Sequence, residues 1–115
     1  MQKVMARVAK AKAKITEITI IEFLDSELEN RTIIDVRESH EHITSNIANS
    51  INIPRGIIEF EINKHCEEVG PDVEIVLYCK TGGRSALAAE SLQELGYSKV
   101  VSLAGGFEAW DKHHQ

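Results

Sequence analysis

The sequence predicts an α/β fold, a three-layer sandwich with a mainly parallel central sheet flanked by helices. Three observations lead there. Glu74-Ile75-Val76-Leu77-Tyr78 is a near-continuous apolar run, the composition of a strand buried on both faces of a parallel sheet. Thr32-Ile33-Ile34-Asp35-Val36 is a second short run rich in β-branched residues. Helical periodicity alternates with such runs, and right-handed strand–helix–strand units place helices on both sheet faces. At 115 residues and 12.8 kDa the chain is one domain's worth, able to bury roughly two thirds of its unfolded surface.

The elements follow in order. Residues 1–14 read as a basic amphipathic helix: Val4, Val8, Ala11 and Ile15 share one face, and Lys3, Arg7, Lys10 and Lys14 repeat one residue earlier. Such a helix is either a solvated extension or a dock for an acidic partner, an anionic surface or a second copy of the chain. The main domain is expected over residues 15–115. Thr19 and Glu22 have the spacing of a capping box, with Ile18 and Phe23 as a hydrophobic staple, and start a short helix running to about Leu28. Ser50 to Ile53 is a further strand, ended by Pro54, and residues 57–68 are helical up to Gly70-Pro71. After the apolar strand, Cys79 to Gly83 forms a loop. Arg84 to Leu95 is then a helix with Ala88, Leu92 and Leu95 inward and Glu90, Gln93 and Glu94 outward, stopped by Gly96. Val100 to Leu103 is the last strand, and Gly105-Gly106 leads into a short helix carrying Phe107 and Trp110.

Composition narrows the function. Of 13 basic residues, five fall within residues 1–16, which hold no acidic one; that leaves 8 against 18 acidic residues, a balance of -10. That balance disfavours a phosphate-neutralising face on the main domain, so no nucleic-acid partner is expected. No run approaches the roughly 20 apolar residues of a membrane span. Two cysteines and no secretory leader point to a reducing, cytoplasmic location. His40-Glu41-His42 does not present two imidazoles on one helix face, and His113-His114 lies at the C-terminus, so no metal site is expected.

Cys79 carries the chemistry. It ends a parallel strand at the sheet edge where α/β proteins place ligands. Lys80-Thr81-Gly82-Gly83-Arg84-Ser85 follows, and two consecutive glycines let backbone N–H groups curl around one point. The following helix aims its positive end there, and Lys80 and Arg84 add full charges. These features favour thiolate over thiol and make Cys79 a nucleophile in an anion cradle. Cys66, beside His65 on an amphipathic helix without glycines or cations, reads as a packing residue. Asp35 and Arg37, at a neighbouring strand end, either brace the loop, through a carboxylate on its N–H groups or on Arg84, or form an ion pair with a nearby charge.

The run IVLYCKTGGRSALAAESLQELGYSKVVSLAGGFEAW resembles the C-terminal half of rhodanese-like sulfurtransferase domains. IIDVRESHEH and NIANSINIP resemble their upstream segments, so the similarity spans about residues 15–112. Departures are Ser45-Asn46-Ile47 where the family often has Gly-His-Ile, Asn49 and Ser50 where Gly and Ala are usual, and Lys80 where Arg is common. The resemblance implies transfer of a sulfane sulfur from thiosulfate or a persulfide to a thiol or protein acceptor, through a Cys79 persulfide and without metal or organic cofactor. Lys80 would guide the anionic donor and Arg84 anchor the loop. Cysteine phosphatases carry C-x5-R, whereas Cys79 to Arg84 is C-x4-R, one residue shorter. A non-catalytic sulfur carrier or interaction module docked through the N-terminal helix is the alternative from another class, and a cysteine phosphatase a distant further one.

Overall fold

The computed structural model describes residues 2–26, 31–66 and 73–115. Its core is a five-stranded sheet of order β1-β5-β4-β2-β3, with every pair parallel. The strands are β1 (Thr16–Ile18), β2 (Arg31–Asp35), β3 (Ile51–Asn52), β4 (Glu74–Tyr78) and β5 (Val100–Leu103). The helices are α1 (Lys3–Lys12), α2 (Ile20–Asp25), α3 (Ser39–Thr44), α4 (Ile58–Cys66), α5 (Gly83–Glu94) and α6 (Gly106–His113), with a 3-10 turn at Arg55–Ile57 before α4. The predicted α/β sandwich is present. No described helix is long and apolar enough to cross a membrane.

Alternation along β4 divides the core. Ile75, Leu77 and Cys79 point to one face, where they meet Ile58 and Ile62 of α4 and Ala88, Ala89 and Leu92 of α5. Val76 and Tyr78 point to the other, against Phe23 of α2 and Phe107 and Trp110 of α6. Burying each large aliphatic side chain stabilises the fold by roughly 1.5–3 kcal/mol. The alternation therefore fixes which layer Cys79 faces: the sulfur lies under α5.

Local signals hold where local chemistry suffices. Thr19 Oγ1 accepts from the Glu22 N–H at 3.1 Å, and Glu22 Oε1 accepts from the Thr19 N–H at 2.8 Å, closing the capping box. Asn49 stands where glycine is usual in the resembling family and has φ 69°, left-handed backbone that asparagine adopts more readily than other side-chain-bearing residues. Ser50 Oγ donates to the Ile47 carbonyl at 2.6 Å and lies 2.9 Å from the Tyr78 hydroxyl, which ties this departure to β4.

Several expectations change. The helix after Thr19 ends at Asp25, not near Leu28, because Ser26 is already extended at ψ 154°; Leu28 and Asn30 lie outside the described residues. The C-terminal part of the 57–68 helix, the Gly70-Pro71 stop and the packing of Cys66's side chain also fall outside them. Strand β1 and helix α3 are additions to the sequence reading. The N-terminal helix ends at Lys12, so Lys14 and Ile15 belong to the connection that feeds β1, and Ile15 packs on the sheet core.

The largest correction concerns two faces. Leu95, expected inward, is 53% exposed: α5 stops at Glu94, Leu95 caps its end with its N–H on the Ser91 carbonyl, and Gly96 turns the chain at φ 105°. Glu90, expected outward, is 7% exposed. It is covered by α1, which lies along α5 with Ala11 fully buried, and it accepts from Arg7 Nη2 at 2.6 Å with Lys14 Nζ 3.7 Å away. Arg7's hydrogen bond holds the Glu90 carboxyl below its ordinary range. The basic helix is thus seated on the domain with Ala11 inward, Arg7 reaching Glu90 from a half-exposed position, and Val4 60% exposed.

Candidate active site

Cys79 follows β4, the middle strand, beside β2. The connections after β2 and β4 leave in opposite directions, which opens a crevice at the carboxyl ends of the strands. The chain then folds back through Lys80 and Thr81 into α5. Gly82, the residue preceding α5, has φ 116° and is buried, a conformation that a side chain would strain. It offers no side-chain cap to the helix. The Cys79 sulfur takes that place: Gly82 N–H donates to Sγ at 3.1 Å and Ser85 N–H at 3.4 Å. Two backbone donors and the positive end of a 12-residue helix thus converge on one sulfur, 2% exposed. Ser85 Oγ lies 3.6 Å from Sγ and 2.8 Å from Ser102 Oγ; both serines are fully buried.

The carbonyl side of the loop is held by α6. Phe107 N–H donates to the Cys79 carbonyl at 2.8 Å, and Glu108 N–H to that of Lys80 at 3.1 Å. Gly106, with φ 55°, permits the approach: a Cβ there would stand 2.7 Å from the Lys80 oxygen and still closer to that of Cys79. The loop is therefore gripped from both sides, its carbonyls by one helix start and its sulfur by another.

The predicted cations separate. Lys80 and Thr81 are exposed, and Lys80 has no ion-pair partner among the described residues. Arg84 turns to α3, where its Nη1 and Nη2 donate to Glu41 Oε1 and Oε2 at 2.8 and 3.1 Å. This two-point bond brings the Glu41 carboxyl down to about 2 and raises Arg84 in turn.

Asp35 does not reach the loop N–H groups or Arg84. Its two oxygens take the Arg37 guanidinium at 2.8–3.1 Å, the Arg37 N–H at 2.9 Å and His42 Nδ1 at 2.9 Å. Full burial pushes the Asp35 carboxyl up, but the bonds from Arg37 and His42 outweigh it and leave it below its ordinary range. Arg37, so neutralised, donates to the Ser45 carbonyl at 2.7 Å and lies over the Phe107 ring, 4.6 Å from its centroid. Its contact with the loop runs through Phe107, the residue that binds the Cys79 carbonyl.

Glu41, Ser102, Gly106 and Phe107 escaped the sequence reading as site residues. Glu38-x-x-Glu41 has capping-box spacing and closes one here, a signal hidden behind the flanking histidines. Ser102, polar within an apolar strand, was the mark of a buried partner. Nothing local announces that Gly106 and Phe107 meet Cys79.

The geometry has relatives. The rhodanese-like domain family model matches residues 21–113. YrkF of Bacillus subtilis is 33% identical over 101 residues, 85% of this chain and 52% of that protein, so the chain spans about half its length. The thiosulfate sulfurtransferase GlpE of Coxiella burnetii is 32% identical over 82 residues, covering 71% of this chain and 73% of the relative. Among solved structures, a Rhodopseudomonas palustris protein of unknown function, described as a possible tyrosine phosphatase, superposes with TM-score 0.82 at 30% identity over 99% of this chain and 92% of that one. With its parallel sheet, cysteine-bearing loop and a match over most of its length, the chain belongs to the rhodanese-like domain family.

Proposed function

We propose that this protein moves a sulfane sulfur from thiosulfate or a persulfide donor to a thiophilic acceptor by way of a persulfide on Cys79. The observation that carries the proposal is the convergence of the Gly82 and Ser85 N–H groups on Sγ. Cys79, as thiolate, attacks the outer sulfur of thiosulfate. The donor's S–S bond breaks, its electron pair leaves with sulfite, and the new S–S bond stays on the protein. An acceptor (cyanide in an assay, a thiol in the cell) then attacks the terminal sulfur and returns the thiolate. Two half-reactions through a covalent intermediate give ping-pong kinetics. The loop amides act on sulfur anions as an oxyanion hole acts on oxygen. The chemistry requires neither metal nor organic cofactor.

Roles follow from position. Lys80, exposed and unpaired among the described residues, attracts the anionic donor. Thr81, Gly82 and Gly83 shape the loop, Arg84 anchors it to α3, and Ser85 backs the sulfur. Asp35 and Arg37 support the loop through Phe107. We assign the chemistry to residues 15–115 and an ancillary role to residues 1–14, and we place the protein in the reducing cytoplasm, where a reactive thiol persists. The sulfurtransferase name of the Coxiella relative supports thiosulfate as donor.

Incubation with thiosulfate tests this. Intact mass should rise by one sulfur atom as sulfite appears, and Cys79→Ser should show neither; failure of wild type with both thiosulfate and a glutathione persulfide rejects the proposal. The Rhodopseudomonas neighbour's description favours a second reading, a cysteine phosphatase. The short C-x4-R loop and the capture of Arg84 by Glu41 oppose it. Turnover of p-nitrophenyl phosphate faster than sulfur loading would reverse that preference.

A further inference from the structure

Helix α1 does more than cover α5. A groove of about 430 Å³ runs between Met5, Val8, Ala9 and Lys12 of α1 and Thr81 and Gly83 of the Cys79 loop. We propose that this groove docks an acidic segment, bearing apolar side chains, of the protein that takes the sulfur from Cys79. Its role as an acceptor site rests on the sulfur-transfer reading above; the binding itself does not.

Four observations point to this occupant. Val4 and Met5 are 60% and 59% exposed, apolar surface left open beside the loop that carries the sulfur. The space is that of a ligand pocket, larger than thiosulfate or cyanide fills, and suits side chains of a docked segment. Its wall is mostly apolar, and Lys12, 40% exposed and only loosely paired with Glu17 at 3.9 Å, supplies a cation for a carboxylate. Finally, residues 1–16 hold five cations and no acid while the rest of the chain carries -10. Lys3 and Lys10 have no ion-pair partner among the described residues. An acidic protein is therefore repelled by most of the surface and drawn to α1, which delivers it to Cys79. The family match begins at residue 21, so the α1 side of the groove lies outside the matched residues.

The probe is a fluorescein-labelled heptapeptide of four glutamates and two leucines around a central serine, with a lysine-for-glutamate twin. Anisotropy with the full chain should show the acidic peptide binding at least tenfold more tightly than the twin. Met5→Glu and Lys12→Glu should each weaken it at least fivefold, and Phe60→Glu, an equally radical change at an exposed apolar residue on α4, less than twofold. Equal affinity for the two peptides, no loss in either groove variant, or an equal loss from Phe60→Glu overturns the proposal. So does a dimer in solution that Met5→Glu dissolves, which assigns the groove to a second copy. Because the peptide holds no sulfur, a protein that fails to load sulfur still tests the groove. With a cysteine-centred peptide as acceptor, the Met5→Glu loss should exceed that with cyanide; an equal loss marks a damaged loop and also overturns docking.

Discussion

The cradle of Cys79 and the surface of α1 stand side by side and were built differently. Cys79 to Ser85, one contiguous stretch, supplies the sulfur and both of its N–H donors. The α1 surface is defined by Arg7 meeting Glu90 across 83 positions and by Ala11 disappearing under α5. A contiguous stretch carries its chemistry wherever the fold sets it down, because strand end, glycine turn and helix start fix the N–H directions locally. A helix face has no meaning until something covers the other side. The same contrast divides the charges: Lys80 keeps its freedom, whereas Arg84, four residues along, belongs to Glu41.

Each prediction presses on one side of this contrast. The largest effect is expected from Gly106→Ala, a substitution outside the contiguous stretch. Its Cβ collides with the Cys79 and Lys80 carbonyls, so loop and α6 must part, and sulfur loading by thiosulfate should fall at least ~100-fold, the scale of an ångström's misplacement. Retained loading in stopped-flow sulfite release would mean that the loop stands without its α6 grip.

Next comes Glu41→Gln, which frees the Arg84 guanidinium. Loading should drop about tenfold, the scale of losing one charge-assisted contact. Stability carries a sharper sign. Glu41 is held at about 2 against an ordinary 4.5, so its contribution is fully present above 4.5 and is lost as pH falls through that window. Urea midpoints of wild type and Glu41→Gln should differ at pH 7 and converge towards pH 2. A gap that stays constant would show that the ion pair is not the cause.

The smallest effect on chemistry is expected from Ala11→Leu, which overfills the α1–α5 contact. Unfolding free energy should fall by about 1–3 kcal/mol, while thiosulfate loading changes less than twofold. If loading collapses as well, α1 and the cradle are one unit and the contrast between them dissolves.

Much of the site was legible beforehand because its parts are local. The apolar run ending at Tyr78, the paired glycines and the helix that follows them announce the cradle in a single stretch. The supports were not legible. Of the two readings open for Asp35 and Arg37, the ion pair is the one that forms, with His42 added, and the carboxylate that reaches the loop is Glu41, on a helix the periodicity does not reveal. Six residues are too short a stretch for a 3.6-residue pattern to declare itself. Glu90 misled for a different reason: an acidic residue on an amphipathic helix reads as solvated unless a second helix arrives with an arginine.

The amino-acid order alone determined the alternation of strands and helices, the layer into which Cys79 points, and the kind of group that surrounds its sulfur. These depend on side-chain period and on backbone geometry within a few residues. Tertiary structure alone decided which cation stays free, which carboxylate holds the loop, and which side of α1 is left open beside it. Such pairings join positions far apart in the chain, and only the packing of helices onto the sheet brings their charges within bonding distance.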